Sequence, residues 1–227
     1  MASAAAGGLP VLFSYFRSSC SYRVRIALAH KGVEHATRAV NLLKSEHKAP
    51  EFLALNPLGL VPALQIDGHT LAQSVAILEY LEETRPSPAL LPGTPAERAQ
   101  VRWLCQTICA DTQPVQNLSV MNHAASLAGR ESAKKEWASH YIRRGLSAFE
   151  SGVASFGGEF CVGDSFSMAD VCLAPQVYNA MRFGIDLPNE FPRTAAIYKR
   201  VLEQEAVRKA HPHAQPDCPD DLRGQLV

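Results

Sequence analysis

Ser18-Ser19-Cys20-Ser21-Tyr22-Arg23-Val24-Arg25-Ile26-Ala27-Leu28 is the stretch around which the chain is organised. An apolar run, Val11 to Phe16, precedes it, and Val24, Ala27, Leu28 and Lys31 recur at helical spacing. The pattern predicts a strand ending near Phe16 and a helix beginning near Cys20. Three hydroxyls and one thiol then fall at a helix start, beside backbone N–H groups without intrahelical partners and at the positive end of the helix dipole. Such a place favours an anion. A thiolate, of Cys20 or of a bound thiol ligand, is one anion that fits. Simple capping of the helix by Ser is the structural use of the same residues.

The whole chain sets bounds on this reading. Its 227 residues, 47% hydrophobic and 19% charged, suffice for one large domain or two modest ones with real cores. Lys plus Arg balance Asp plus Glu at 22 each, so no basic surplus calls for nucleic acid. Cys20, Cys105, Cys109, Cys161, Cys172 and Cys218 form no CxxC pair. Most are expected as small buried apolar residues in a reducing compartment, with no zinc site. Met1 to Leu9 has no Lys or Arg and no apolar core. It is expected to be a flexible tail, neither signal nor transit peptide. No apolar segment has the length of a membrane span, and a cytoplasmic protein is the expectation.

Going outward from the stretch, Lys31-Gly32 ends the first helix and Ala36 to Val40 supplies a second strand. The β-α-β order implies parallel strands. Lys44 to Phe52 is expected as a loop with a short helix. Asn56-Pro57-Leu58-Gly59-Leu60-Val61-Pro62 is a turn, with a cis Val61–Pro62 bond expected before a strand at Ala63 to Ile66. Asp67-Gly68 is a hairpin signal leading to His69–Leu71. Gln73-Ser74 opens another helix, marked by Val75, Leu78 and Leu81, with Ser74 as the expected N-cap. Two anion-favouring helix starts on either side of a Val-Pro turn suit a peptide-like ligand. Its thiolate would lie at one start, its carboxylate at the other, and its amide would pair with the extended backbone before Pro62.

Arg85 to Pro95 holds four prolines and is the expected domain boundary. Everything after it has helical periodicity. Pro114 is expected to break the run of Val101, Leu104, Cys105 and Ile108 before Val115, Leu118 and Met121 resume it. Ser167 and Asp170 have capping-box spacing, with Phe166 and Val171 as its staple. Arg182 falls near a helix C-terminus, where a cation complements the dipole. The polar, Pro-rich segment from Pro212 to Val227 is expected as a loosely attached tail.

Taken together, Ser18 to Leu28, Asn56-Pro57, Val61-Pro62, Gln73-Ser74, Gln116-Asn117-Leu118-Ser119 and Ser167-Met168-Ala169-Asp170 resemble the zeta class of glutathione transferases. Tyr22 stands where Trp or His is frequent in that class. The resemblance runs from about Pro10 to Pro219. It implies an α/β thioredoxin-like glutathione-binding domain at 10–87, a linker at 88–95 and an all-α C-terminal domain at 96–212, with 213–227 as a tail. It also implies a homodimer. Glutathione would be the cofactor, its sulfur near Ser18 and Cys20, with Ser19, Ser21, Tyr22 and Arg23 completing the wall. The main chain of Val61 would take the cysteinyl amide, Gln73 and Ser74 the γ-glutamyl end, and His47 the glycyl side. Gln113, Asn117, Leu118 and Ser119 would contribute from the helical domain.

The implied reaction is glutathione-dependent isomerisation of maleylacetoacetate to fumarylacetoacetate, with glutathione transferase activity beside it. Ser18, Ser19 and Cys20 are the implied catalytic set. Arg23 and Arg182 are the implied clamps for the anionic ends of the substrate. Alternatives on the same residues are maleylpyruvate isomerisation, displacement of halide from α-halo acids, thiol-disulfide exchange through Cys20, and a non-catalytic binding module of the same fold.

Overall fold

The computed structural model describes residues 8–224. These fall into two compact units, one formed by 8–88 with 205–224 and the other by 89–204.

The first unit opens with β1 (Val11–Ser14), α1 (Ser19–His30), β2 (Ala36–Ala39) and α2 (Pro50–Leu55). It continues with β3 (Ala63–Ile66), β4 (His69–Ala72) and α3 (Ser74–Thr84). The four strands described form one sheet in the order β2-β1-β3-β4. β1 and β2 are parallel, with Val11 opposite Ala36, as the β-α-β reading requires. β3 runs antiparallel to β1 and to β4. Asp67 and Gly68 make the hairpin turn with φ of 52° and 79°, the left-handed pair that matches strand twist. The Val61–Pro62 bond is cis, as expected, and so is Ser87–Pro88.

Strand alternation sends Leu12 and Phe13 to opposite faces of the sheet. Leu12 is buried, as are Ile26 and Leu28 of α1 and Ile77, Leu78 and Leu81 of α3. Phe13 belongs to a second cluster with Tyr15, Phe16, Val40, Phe52, Val61, Ala63 and Cys218. Each large side chain fully buried in these layers contributes about 1.5–3 kcal/mol. Lys31 caps the C-terminus of α1. Its ammonium donates to Glu82 Oε2 at 2.7 Å and to the carbonyls of Arg85 and Pro88 at 2.6 and 2.9 Å. All three N–H bonds are used, and they tie α1 to the end of α3.

The second unit contains α4 (Pro95–Cys109), α5 (Leu118–Ala128), α6 (Ala133–Phe156), α7 (Met168–Arg182), α8 (Leu187–Glu190) and α9 (Pro192–Glu203). Thr94 and Glu97 form a capping box on α4, with Pro95 in the first turn. Val101, Leu104, Cys105 and Ile108 are buried on one face of α4. Pro114 lies in the break before α5, where it was expected. Thr112 sits so close to α6 that a Cβ on Gly145 would collide with its Oγ1. Asp170 Oδ2 accepts from the N–H and the hydroxyl of Ser167, and Oδ1 accepts from Cys161 N–H. Burial raises the Asp170 pKa. Pairing of Phe166 with Val171 aside, this is the reciprocal cap that the spacing predicts.

The expectation for the C-terminal segment fails. The chain from Glu205 onward is neither the end of the helical domain nor a loose tail: it returns to the first unit. There α10 (Glu205–Ala210) packs on α1. Tyr22 Oη donates to Val207 O, and Arg25 Nε donates to Ala210 O. Pro212, His213, Gln215 and Cys218 are buried. Composition misled because it cannot show polar groups bonding within the segment: Gln215 Nε2 donates to the carbonyls of Lys209 and His211. The remaining ends of the expected tails, 1–7 and 225–227, lie outside the described residues.

Candidate functional site

Ser18 has extended backbone and is the N-cap of α1, its Oγ accepting from Ser21 N–H at 3.2 Å. Ser19 and Ser21 are buried and Cys20 is half-buried. One turn further on lies Arg23, which is 1% exposed. Its Nη1 donates to Ser74 Oγ at 3.1 Å and lies 3.7 Å from Cys20 Sγ. A single guanidinium therefore joins the starts of α1 and α3. The sequence identified both starts without showing that a cation binds them together.

Ser74 is not the cap of α3, contrary to expectation. It is the first helical residue, and its hydroxyl accepts from Arg23 instead. The cap position belongs to Gln73, which makes no side-chain cap bond and has φ 68° and ψ 113°. Left-handed backbone at a non-glycine residue stores on the order of 1–3 kcal/mol and recurs at binding sites. No sequence pattern announces it.

Val61 is buried in the second cluster. The turn before it is shaped by Asn56, whose Nδ2 donates to Leu60 O at 2.6 Å and whose Oδ1 accepts from Leu58 N–H at 3.2 Å. Gly59 has φ 59°, and a Cβ there would stand 2.9 Å from His47 O. This contact sets the short 3-10 turn carrying His47 against the Asn56–Pro62 turn. His47 is half-buried, and burial with Lys48 nearby lowers its pKa.

The other expected site residues belong to the second unit. Gln113 is in the break before α5, Asn117 is the N-cap of α5, and Leu118 and Ser119 open it. Gln116 is buried and donates to the buried Gln176 of α7 at 2.9 Å, which makes it a packing residue. Arg182 ends α7 and is exposed, its guanidinium 5.8 Å from the Tyr178 ring and bonded to Asn179 Oδ1 at 3.3 Å.

Sequence reasoning missed Arg25. It is buried, donating to Ser14 Oγ, to the carbonyls of Tyr15 and Phe16, and to Ala210 O. It thereby holds the loop that delivers Ser18. Its signal was a second Arg one turn before Leu28 on a helix whose neighbours are apolar.

Hydroxyls, helix-start N–H groups and a buried guanidinium form a donor set suited to an anionic thiol ligand. No cluster of His, Cys, Asp and Glu able to hold a metal ion occurs among the described residues. None of their helices is long and apolar enough to cross a membrane.

Residues 11–83 match the family model for the glutathione S-transferase N-terminal domain, and 117–210 match a model for its C-terminal domain. The maleylacetoacetate isomerase of Rattus norvegicus is 51% identical over 218 residues, which is 95% of this chain and 98% of that protein. The chain belongs to the glutathione transferase family, in its zeta class. Among solved structures, a holo maleylpyruvate isomerase, described as a bacterial zeta-class glutathione transferase, superposes with a TM-score of 0.88 at 40% identity. That match covers 92% of this chain and all of the other. A maleylacetoacetate isomerase from Anaeromyxobacter dehalogenans, solved with dicarboxyethyl glutathione and citrate in its active site, gives 0.83 at 41% identity, covering 92% and 97%.

Proposed function

We propose that this chain is an enzyme that isomerises maleylacetoacetate to fumarylacetoacetate with glutathione, and has glutathione transferase activity beside it. The observation that carries the reading is the buried Arg23 bridging Cys20 and Ser74, so that both anion-favouring helix starts face one ligand. Strong identity to maleylacetoacetate isomerases along nearly the whole chain supports it.

Bound glutathione supplies a thiolate that adds reversibly to the conjugated cis double bond, which lets that bond rotate to trans before the sulfur departs. The chain's own residues prepare this. Ser18, with Ser19 and Cys20, presents hydroxyl and N–H donors to the sulfur and stabilises its negative charge. Ser21, Tyr22 and Arg23 complete that wall. The Val61 main chain takes the cysteinyl amide, Gln73 and Ser74 take the γ-glutamyl end, and His47 serves the glycyl side. From the second unit, Gln113, Asn117, Leu118 and Ser119 are further contacts to glutathione. Arg23 and Arg182 hold the carboxylates of the substrate, for which a guanidinium is the suited partner. Citrate beside dicarboxyethyl glutathione in the Anaeromyxobacter protein supports acid binding of this kind.

The reading places the chain in phenylalanine and tyrosine catabolism, in the cytoplasm, as a homodimer. Maleylpyruvate is the second substrate to compare, because a maleylpyruvate isomerase superposes so well; small α-halo acids are the third. The test is isomerisation of maleylacetoacetate by purified protein, with and without glutathione. Turnover only with glutathione is expected, and no turnover with glutathione present refutes the proposal. Light scattering gives the mass of the particle, with twice the chain mass expected.

A further inference from the structure

We propose that Asp217, on the segment following α10, is a positioning residue for the glutathione site: it fixes the main chain of Phe16 and through it the start of α1. The proposal rests on the reading of the Ser18–Arg23 stretch as that site.

Asp217 Oδ2 accepts from Phe16 N–H at 2.8 Å, across 201 residues of sequence. The carbonyl of Phe16 accepts from Arg25 Nη2 at 3.0 Å. Both main-chain polar groups of Phe16 are thus held by side chains. β1 ends at Ser14, so no strand ladder does this work. Ser18 follows only two residues later, its own N–H bonded to Tyr15 O at 2.9 Å. The loop that sets the Ser18 hydroxyl is therefore suspended from one side chain within the helix and one 201 residues further along the sequence.

The far anchor is itself well held. Cys218, next to Asp217, is buried in the same apolar cluster as Phe16. Arg223 Nη2 donates to the carbonyls of Pro216 and Cys218 on either side of it, at 3.2 and 3.1 Å. An acceptor placed by such a frame sets where the Phe16 amide sits, and the Ser18 cap with it. Thiolate stabilisation depends steeply on donor distance, since an error of about 1 Å can lower a rate on the order of a hundredfold.

The test uses the full chain with Asp217→Ala and Asp217→Asn, the latter keeping an accepting oxygen. In the first arm, without ligand, amide hydrogen exchange is followed for peptides spanning Phe16 to Ser21. Faster exchange is expected in Asp217→Ala and near-normal exchange in Asp217→Asn. In the second arm, ionisation of bound glutathione is followed by thiolate absorbance against pH. Its midpoint is expected to rise in Asp217→Ala and to return in Asp217→Asn, with kcat for isomerisation about tenfold lower in Ala alone. Asp217→Glu, which keeps the charge but displaces the oxygen, carries the same test should Asp217→Ala not fold. Unchanged exchange overturns the proposal, and so does altered exchange with an unmoved ionisation midpoint. Wild-type protein that binds no glutathione overturns the underlying reading, an outcome distinct from a wild type that binds it while Asp217→Ala behaves identically.

Discussion

Replacing Lys31 by Met separates a buried ion pair from its surface counterpart in one unit. The ammonium of Lys31 is wholly buried, Glu82 is 10% exposed, and their contact is 2.7 Å. Met keeps the length of the stem but removes the three Lys31 Nζ bonds to the Glu82 carboxylate and to the carbonyls of Arg85 and Pro88. Breaking a buried pair on one side typically costs about 3–5 kcal/mol. In a chain of this size that is a fall of about 10 °C in melting midpoint. The pair Arg85–Asp67, by contrast, is 27% and 40% exposed. Arg85→Ala is expected to cost only about 0.5 kcal/mol, and less at high salt. The assay is urea unfolding followed by far-UV circular dichroism, because Trp103 and Trp137 both lie in the second unit and report on it alone. A loss below about 1 kcal/mol for Lys31→Met would refute the reasoning, since it would mean that water screens the pair.

Three further outcomes are expected. His211 is buried beside Tyr22, Arg25 and His213, and burial, with His213 and Arg25 adding to it, lowers its pKa to about 4. The unfolded chain therefore takes up a proton near pH 6.5 that the folded chain refuses until about pH 4, so stability falls as pH drops through that window. The loss approaches roughly 3 kcal/mol by pH 4, and His211→Asn should flatten the pH dependence of the unfolding midpoint. Arg182→Ala should raise KM for the acid substrate by about tenfold or more with little change in kcat; unaltered kinetics would remove Arg182 from the site. Cys20→Ala should retain isomerisation and glutathione conjugation in steady-state assays, because Ser18 supplies the capping hydroxyl; loss of both activities would make Cys20 essential.

Much of the first unit was legible because its signals are local. A strand, a helix start rich in hydroxyls, a Val-Pro turn and an Asp-Gly hairpin each announce themselves within a few residues. Ser167 and Asp170 were legible for the same reason. Long-range side-chain bonds were not. Arg23 to Ser74 spans 51 residues, and Arg25 to Ala210 spans 185. Neither leaves a periodicity. Gln73 was misjudged against Ser74 because Ser is the usual cap, whereas the backbone here turns on a residue held in left-handed geometry. The segment after Ala210 was misjudged because composition counts polar groups and cannot see where their partners lie, such as the Lys209 and His211 carbonyls that take the Gln215 amide.

The return of the chain after Gln204 has a consequence for biosynthesis. A ribosome delivers the thioredoxin-like portion before the helical one, yet α1 lacks the cover of α10 and the Phe16 amide lacks Asp217 until the segment from Glu205 to Asp217 has been made. The first unit is therefore completed only after the second has been made, and nascent chains halted short of Glu205 would present an uncovered flank to the chaperones waiting at the exit tunnel.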